Sequence, residues 1–301
     1  MMRQPRPARA ADFHVAVASA LRSSTERCGL DPRGALLLRS FATAAYHLPA
    51  VDAVVRIAPL TWPDKAARLA TSVNVTRWLA KTGFPTVEPL RVDQPVIADG
   101  YAVTFWRYLP QDGPAPSPPD LARLLRKLHQ IDPPPEPLPR YRPLVSVRQA
   151  IESSHVIDED ERAWLRNRCD ELLATYDRLR FPLPAGMIHG DAWRGNLLRD
   201  GPRVVLADWD EISIGPREID LVPTLQGTRF GLSEPERDAF ITVYGHDIRG
   251  WDGYPVLREI RELSTTTALL HEGNANEVAQ RELQVRLRSI RSGNDQQWTT
   301  F

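Results

Sequence analysis

Apolar residues recur along this chain with two different periods, and the switches between them mark its elements. Phe13, Val17, Ala20 and Leu21 fall on one face at helical spacing, which predicts an amphipathic helix over residues 11–28, stopped by Gly29. After a turn at Asp31-Pro32-Arg33-Gly34 the pattern becomes that of strands, over 36–38, 44–48 and 51–58. Residues 65–81 return to a helix, closed by Thr82-Gly83 and Pro85. Strands are expected at 88–92 and 101–108. A proline-rich stretch, 114–119, then leads into a helix over 120–130 that carries Leu121, Leu124, Leu125 and Leu128 on one face, with Asp120 as N-cap. Residues 131–143 hold too much proline for regular structure. A long helix is read over 159–179 from Trp164, Leu165, Cys169, Leu172, Leu173 and Tyr176. Helical patterning also fills 219–225, 234–244, 255–271 and 275–290, so a β-rich front third precedes a mainly helical remainder.

Composition narrows the class. The chain has 301 residues, 42% of them hydrophobic and 25% charged, which suits a soluble globular protein of one large or two modest domains. No apolar run reaches the roughly 18 residues of a membrane span. The basic, proline-rich start lacks the apolar core of a secretory signal. Cys28 and Cys169 are too few for a disulfide framework, and a reducing cytoplasm is the simplest assignment. A formal net charge of zero argues against the broad basic face of a nucleic-acid binder. The charge is unevenly spread: residues 1–110 carry 14 Lys and Arg against 8 Asp and Glu, and residues 211–275 carry 6 against 11. A positive half suits nucleotide phosphates, and an acidic half suits a cationic acceptor.

The chemistry concentrates between residues 187 and 210. His189-Gly190-Asp191 is followed five residues later by Asn196, and a short apolar strand, 204–207, delivers Asp208-Trp209-Asp210. Phosphoryl transfer asks for one carboxylate to orient the acceptor hydroxyl and for oxygen ligands to hold Mg²⁺ against the nucleotide phosphates. Asp191 fits the first need, and Asn196 with Asp208 fits the second. Two other readings of the same residues are a hydrolytic metal cluster of His189, Asp191, Asp208 and Asp210, and a turn whose polar groups only cap loops. Neither G-x-x-x-x-G-K-[ST] nor G-x-G-x-x-G occurs, which removes the P-loop and Rossmann alternatives.

The protein-kinase catalytic loop has this same Asp-to-Asn spacing, with an Arg where Gly190 stands here. With Gly190 and the Asp-Trp-Asp triplet, followed by Gly215-Pro216-Arg217-Glu218-Ile219-Asp220-Leu221, the chain resembles the aminoglycoside phosphotransferase family. The resemblance implies an α+β, two-lobed protein-kinase-like fold: a small β-rich nucleotide-binding lobe, 1–108, with one main helix, and a larger, mainly helical catalytic and acceptor-binding lobe, 109–301, joined by a hinge near 105–112. It implies a Mg²⁺-dependent, ATP- or GTP-dependent kinase acting on a hydroxyl of a small molecule, as a cytoplasmic monomer or weak homodimer with no membrane or nucleic-acid partner. Asp191 is then the catalytic base, with His189 bracing the loop. Asn196 and Asp208 hold the metal, Asp210 faces it or supports it, and Asp220 fixes the loop. Phe105, Trp106, Tyr108 and Leu109 line the nucleotide-base contact, and Glu211, Glu259, Glu262 and Glu272 are candidate contacts for amines of an acceptor.

Three departures from the family pattern stand out. Ser40-Phe41-Ala42-Thr43 occupies the place of the glycine-rich phosphate loop, so Ser40 would meet phosphate without glycine's freedom. None of the three lysines lies on a strand of the front third, so Arg56 takes the position of the phosphate-binding cation. Ser72 stands where the resemblance expects a helix Glu to pair with that cation. A binding module that has lost phosphotransfer is the alternative these departures raise.

Overall fold

The structure is a computed structural model that describes residues 8–40, 43–61, 64–272 and 276–300. Phe41, Ala42, Trp62 and Pro63 lie outside the described residues. The chain forms two compact units, Met1–Pro114 with Leu198–Glu211, and Ala115–Leu197 with Ile212–Phe301.

In the first unit, five strands form an antiparallel sheet in the order Leu36–Ser40, Ala44–Leu48, Ala53–Pro59, Tyr101–Arg107, Val96–Ala98. Alternation sets its faces. Val55, Ile57, Val103 and Phe105 are buried with Val17, Ala20 and Leu21 of the Ala8–Arg27 helix. On the other side, Leu69 and Val73 of the Lys65–Lys81 helix pack with Ala58, Ala102 and Trp106. Such burial of aliphatic side chains is worth about 1.5–3 kcal/mol each.

The expected strand at 88–92 is reduced to one isolated bridge, Pro89 to Trp106. Backbone bonds flank that bridge, from Arg107 N–H to the Glu88 carbonyl and from Leu90 N–H to the Phe105 carbonyl, but the next ladder bond, Phe105 N–H to the Leu90 carbonyl, is not made. The Gln94 side chain takes over: its Oε1 accepts the Phe105 N–H at 2.7 Å, and its Nε2 donates to the Leu90 and Phe105 carbonyls at 2.9 and 3.2 Å. A hairpin distant in sequence, Leu197–Asp200 with Arg203–Leu206, supplies residues 198–211 of this unit. Leu206 joins the loop after the helix, donating to the Pro85 carbonyl and accepting from the Val87 N–H.

The second unit is helical. Pro118–Leu128 packs on Glu234–Tyr244, and Glu159–Tyr176 on Tyr254–Ser264. Ser117, not Asp120, is the N-cap of the first of these helices. Two prolines fill its first turn, where no N–H is needed, and the Asp120 carboxylate reaches back to the Ser117 N–H at 2.9 Å. A helix at Val145–Ser153 has no counterpart in the sequence pattern, and the expected helix at 255–271 is two, Tyr254–Ser264 and Thr267–Glu272. The strand Gly186–Ile188 pairs antiparallel with Ser213–Gly215. No described helix is long and apolar enough to cross a membrane.

Replacing Gln94 by Ala strands the buried Phe105 N–H. The variant should unfold about 1–3 kcal/mol more easily in denaturant, with an unchanged slope.

Candidate active site

In the second unit, the strand Gly186–Ile188 ends at His189, whose ring is fully buried. Gly190 follows with φ +81°, a left-handed conformation that strains any side chain, which accounts for glycine here. The backbone after the strand is fixed by one buried carboxylate. Asp220 accepts the His189 N–H at 2.7 Å and the Gly190 N–H at 2.8 Å. Its Oδ2 also lies 3.0 Å from His129 Nε2, and His129 Nδ1 lies 2.9 Å from the Tyr244 hydroxyl. The Asp220 carboxylate can only accept, so His129 Nε2 carries the proton that lies between them. Burial, with the Asp220 charge close by, pushes the Tyr244 phenol up, so it remains a donor.

Asp191 follows. Its N–H donates to His189 Nδ1 at 3.3 Å, so the ring braces the loop through its backbone. Asn196 Nδ2 donates to the Asp191 carbonyl at 2.8 Å and to its Oδ2 at 3.2 Å. That leaves the amide oxygen of Asn196 as the atom it can offer to a cation. A Cβ on Gly195 would meet the Trp193 ring at 2.3 Å, so the tight turn before Asn196 needs glycine. On its other oxygen, Asp191 Oδ1 is 2.6 Å from Nη1 of Arg261.

The first unit holds the other carboxylates. Asp208 adopts φ +64°. Next to it, Trp209 is fully buried, with Nε1 donating to Thr86 Oγ1 at 2.9 Å and its ring edge-on to Phe84. The indole thereby pins the triplet to the end of the Lys65–Lys81 helix. Arg56 Nη2 lies 3.0 Å from Asp208 Oδ1, and its Nη1 lies 3.3 Å from Asp210 Oδ1. Lys65 Nζ lies 2.7 Å from Asp210 Oδ2. Burial opposes ionisation of Asp210, but Arg56 and Lys65 outweigh it and hold the carboxyl well below its ordinary value of 3.8. Arg56 is pushed up: desolvation works against its charge, and Asp208 and Asp210 more than offset it.

Ser72 is fully buried, and its hydroxyl has no hydrogen-bond partner among the described residues. The counter-charge for Arg56 therefore comes from Asp208 and Asp210 rather than from the helix, and Arg56 is held at two points.

The donors suit a hard divalent cation. Asn196 and Asp208 offer amide and carboxylate oxygens, which Mg²⁺ prefers. Among the described residues no group of three or more His, Cys, Asp or Glu could hold a metal. The cluster of His189, Asp191, Asp208 and Asp210 considered from the sequence is therefore not found among those residues.

The family model for phosphotransferase enzymes, APH, matches residues 37–260. The chain belongs to the phosphotransferase enzyme family. Solved structures agree on the kinase-like fold. An amicoumacin kinase in complex with AMP-PNP, Ca²⁺ and Ami is 14% identical with a TM-score of 0.69, the match covering 93% of this chain and 94% of that one. A choline/ethanolamine kinase family protein from Mesorhizobium loti is 18% identical at a TM-score of 0.62, covering 90% and 93%. A spectinomycin phosphotransferase in complex with ADP is 15% identical at a TM-score of 0.58, covering 91% and 94%. No curated protein matched in a direct sequence comparison.

Against the family pattern, Phe105 is buried with its N–H on Gln94 and its carbonyl accepting from Leu90, and Trp106 is buried with Nε1 donating to Thr104. The Tyr108 N–H donates to the Asp52 carbonyl, and the Leu109 carbonyl accepts from Gln111. Ser40 is exposed at the end of its strand. The expected acidic contacts are already engaged: Glu211 pairs with Arg68, Glu259 with Arg168, and Glu262 with Arg229 and Arg258. The side chain of Glu272 lies outside the described residues. Lys65, His129 and Arg261 were not legible as site residues. Lys65 starts a helix rather than sitting on a strand, and His129 and Arg261 meet their partners across 91 and 70 residues of chain.

Replacing Asp220 by Ala removes the acceptor of three buried donors. It should cost about 3–5 kcal/mol of stability in denaturant unfolding. Asp210 makes a pH-dependent contribution. Its folded pKa is depressed, so the stabilisation is full above the unfolded value and is lost as pH falls below about 4 toward the folded one. Thermal unfolding of Asp210→Asn should therefore fall off less steeply between pH 4 and 2 than that of the parent, and parallel curves would contradict this.

Proposed function

We propose that this chain is a Mg²⁺-dependent phosphotransferase that moves the terminal phosphoryl group of ATP or GTP onto a hydroxyl of a small molecule in the cytoplasm. The observation that carries the reading is the held state of Asp191: the backbone before it is bonded to buried Asp220, its own N–H to His189, and one carboxylate oxygen to Asn196. Phosphoryl transfer is catalysed chiefly by positioning and electrostatics, and a carboxylate fixed on a braced loop is what positioning requires.

Residues of the first unit take the nucleotide side in this reading. Arg56, always charged and able to bind two oxygens at once, serves the α- and β-phosphates, and Lys65 is a second cation for the same group. Asp208, from the first unit, and Asn196, from the second, would each offer an oxygen to Mg²⁺, which would neutralise charge on the phosphates. Phe105 and Trp106 shape the wall beside the nucleotide base, and Tyr108 and Leu109 offer the contacts to it. In the second unit, Asp191 accepts a hydrogen bond from the acceptor hydroxyl and takes its proton, and His189 braces it. Nucleotides in the solved relatives, AMP-PNP in the amicoumacin kinase and ADP in the spectinomycin phosphotransferase, support a nucleotide here.

Asp191→Ala tests the assignment. Acceptor-dependent product formation should fall by about 10²–10⁴-fold, the usual worth of a positioned base. Nucleotide affinity, read from thermal unfolding with Mg²⁺, should stay within about threefold, since ligand at a hundred times its Kd raises stability by about 2.7 kcal/mol. Turnover at the parent rate in this variant would rule the assignment out.

A further inference from the structure

One guanidinium of the second unit, that of Arg261, meets Asp191 directly. The Tyr254–Ser264 helix bears four charged side chains, Arg258, Glu259, Arg261 and Glu262, and its carboxylates are already paired with arginines. Glu262 is buried between Arg229 at 2.8 Å and Arg258 at 2.9 Å, and Glu259 is paired with Arg168. Arg261 alone on this helix reaches the catalytic loop, Nη1 to Asp191 Oδ1 at 2.6 Å. Its Nε is buried and has no hydrogen-bond partner among the described residues. A guanidinium has five N–H donors in a planar fork, so one bond to Asp191 leaves most of its binding capacity unused.

Given the phosphotransferase reading, on which this rests, we propose that Arg261 is a specificity-determining residue and that the acceptor carries an anionic group, carboxylate or phosphate, next to the hydroxyl that is phosphorylated. The anion takes donors of Arg261 and loosens its hold on Asp191, whose two oxygens otherwise already have donors in Arg261 and Asn196. Asp191 is then available to the hydroxyl. The hydroxyl oxygen forms a bond to the γ-phosphorus, the bond from that phosphorus to the β,γ-bridging oxygen breaks with its electron pair remaining on the nucleoside diphosphate, and the hydroxyl proton passes to Asp191. A cationic acceptor has nothing to exchange with Arg261 and is repelled by it. The carboxylates that would attract an amine on this helix, Glu259 and Glu262, are held by arginines.

The test is Mg²⁺- and nucleotide-dependent transfer by the full chain over a matched panel. It contains hydroxy acids such as glycerate and malate, sugar phosphates such as glucose 6-phosphate, and the cationic compounds choline and kanamycin, with nucleotide hydrolysis in water measured alongside. The expected result is transfer to a hydroxy acid or a sugar phosphate, with kcat/KM at least tenfold above that for either cation; which of the two anions is used separates carboxylate from phosphate. Arg261→Gln should raise KM for that acceptor about ten- to a hundredfold, as expected for losing a charged hydrogen bond, with a smaller change in kcat, and Arg261→Lys should recover part of the loss. A cation used best, no panel compound used while nucleotide is hydrolysed, or a KM unmoved in Arg261→Gln would each overturn the proposal. Absence of both hydrolysis and nucleotide binding in the parent protein would overturn the phosphotransferase reading beneath it instead.

Discussion

A single buried carboxylate, Asp220, organises the loop that carries Asp191. It has no exposure to solvent, yet it accepts two backbone N–H groups and an imidazole N–H. An isolated charge so buried would cost several kcal/mol, and three donors are what make it tolerable. The consequence runs outward from there. The two N–H groups belong to the residues just before Asp191, so the same bonds that satisfy Asp220 set where Asp191 sits. His129 in turn draws in Tyr244, which ties the loop to the Pro118–Leu128 and Glu234–Tyr244 helices that carry these rings or flank them. Stability and site geometry share one set of hydrogen bonds here, and neither can be changed alone.

The first unit solves a similar problem with opposite charges. Asp210 is buried between Arg56 and Lys65, and Asp208 completes the pairing of Arg56. The Asp-Trp-Asp alternation is what permits this. Trp209 goes into the core as an anchor, and the carboxylates on either side of it both reach Arg56. A fully buried indole bonded to Thr86 fixes the backbone more firmly than the flanking carboxylates could by themselves, because ion pairs constrain direction weakly.

Sequence patterning made most of the architecture legible. Period-two runs marked the sheet and 3.6-residue runs the main helices, and the spacing from Asp191 to Asn196 and Asp208 marked the chemistry. Its failures have physical causes. The 88–92 strand was cut short because the Gln94 side-chain amide inserts between the Leu90 carbonyl and the Phe105 N–H, which would otherwise have bonded to each other. Helix Val145–Ser153 was missed because its N-cap residue, Leu144, has left-handed backbone and no side-chain cap signal. The glutamates that seemed suited to amines could not be judged by composition, since local charge depends on the arginines brought to them from 33 and 91 residues away. Ser72 pointed correctly to a missing helix carboxylate, but nothing local to it could reveal that Asp208 and Asp210 supply the charge instead.

The pairing in the first unit also explains how an arginine can stand in the strand position without a partner on the helix. Two cations, Arg56 and Lys65, face two carboxylates, Asp208 and Asp210, so this group of four is balanced as it stands. Lys65 holds Asp210 independently of Arg56, its pair at 2.7 Å being shorter than either contact from Arg56. A lysine at position 56 could not hold both carboxylates with two nitrogens of a planar fork. Arginine there, with Lys65 beside it, satisfies both carboxylates, and this pairing supplies the counter-charge that a helix glutamate would otherwise have given.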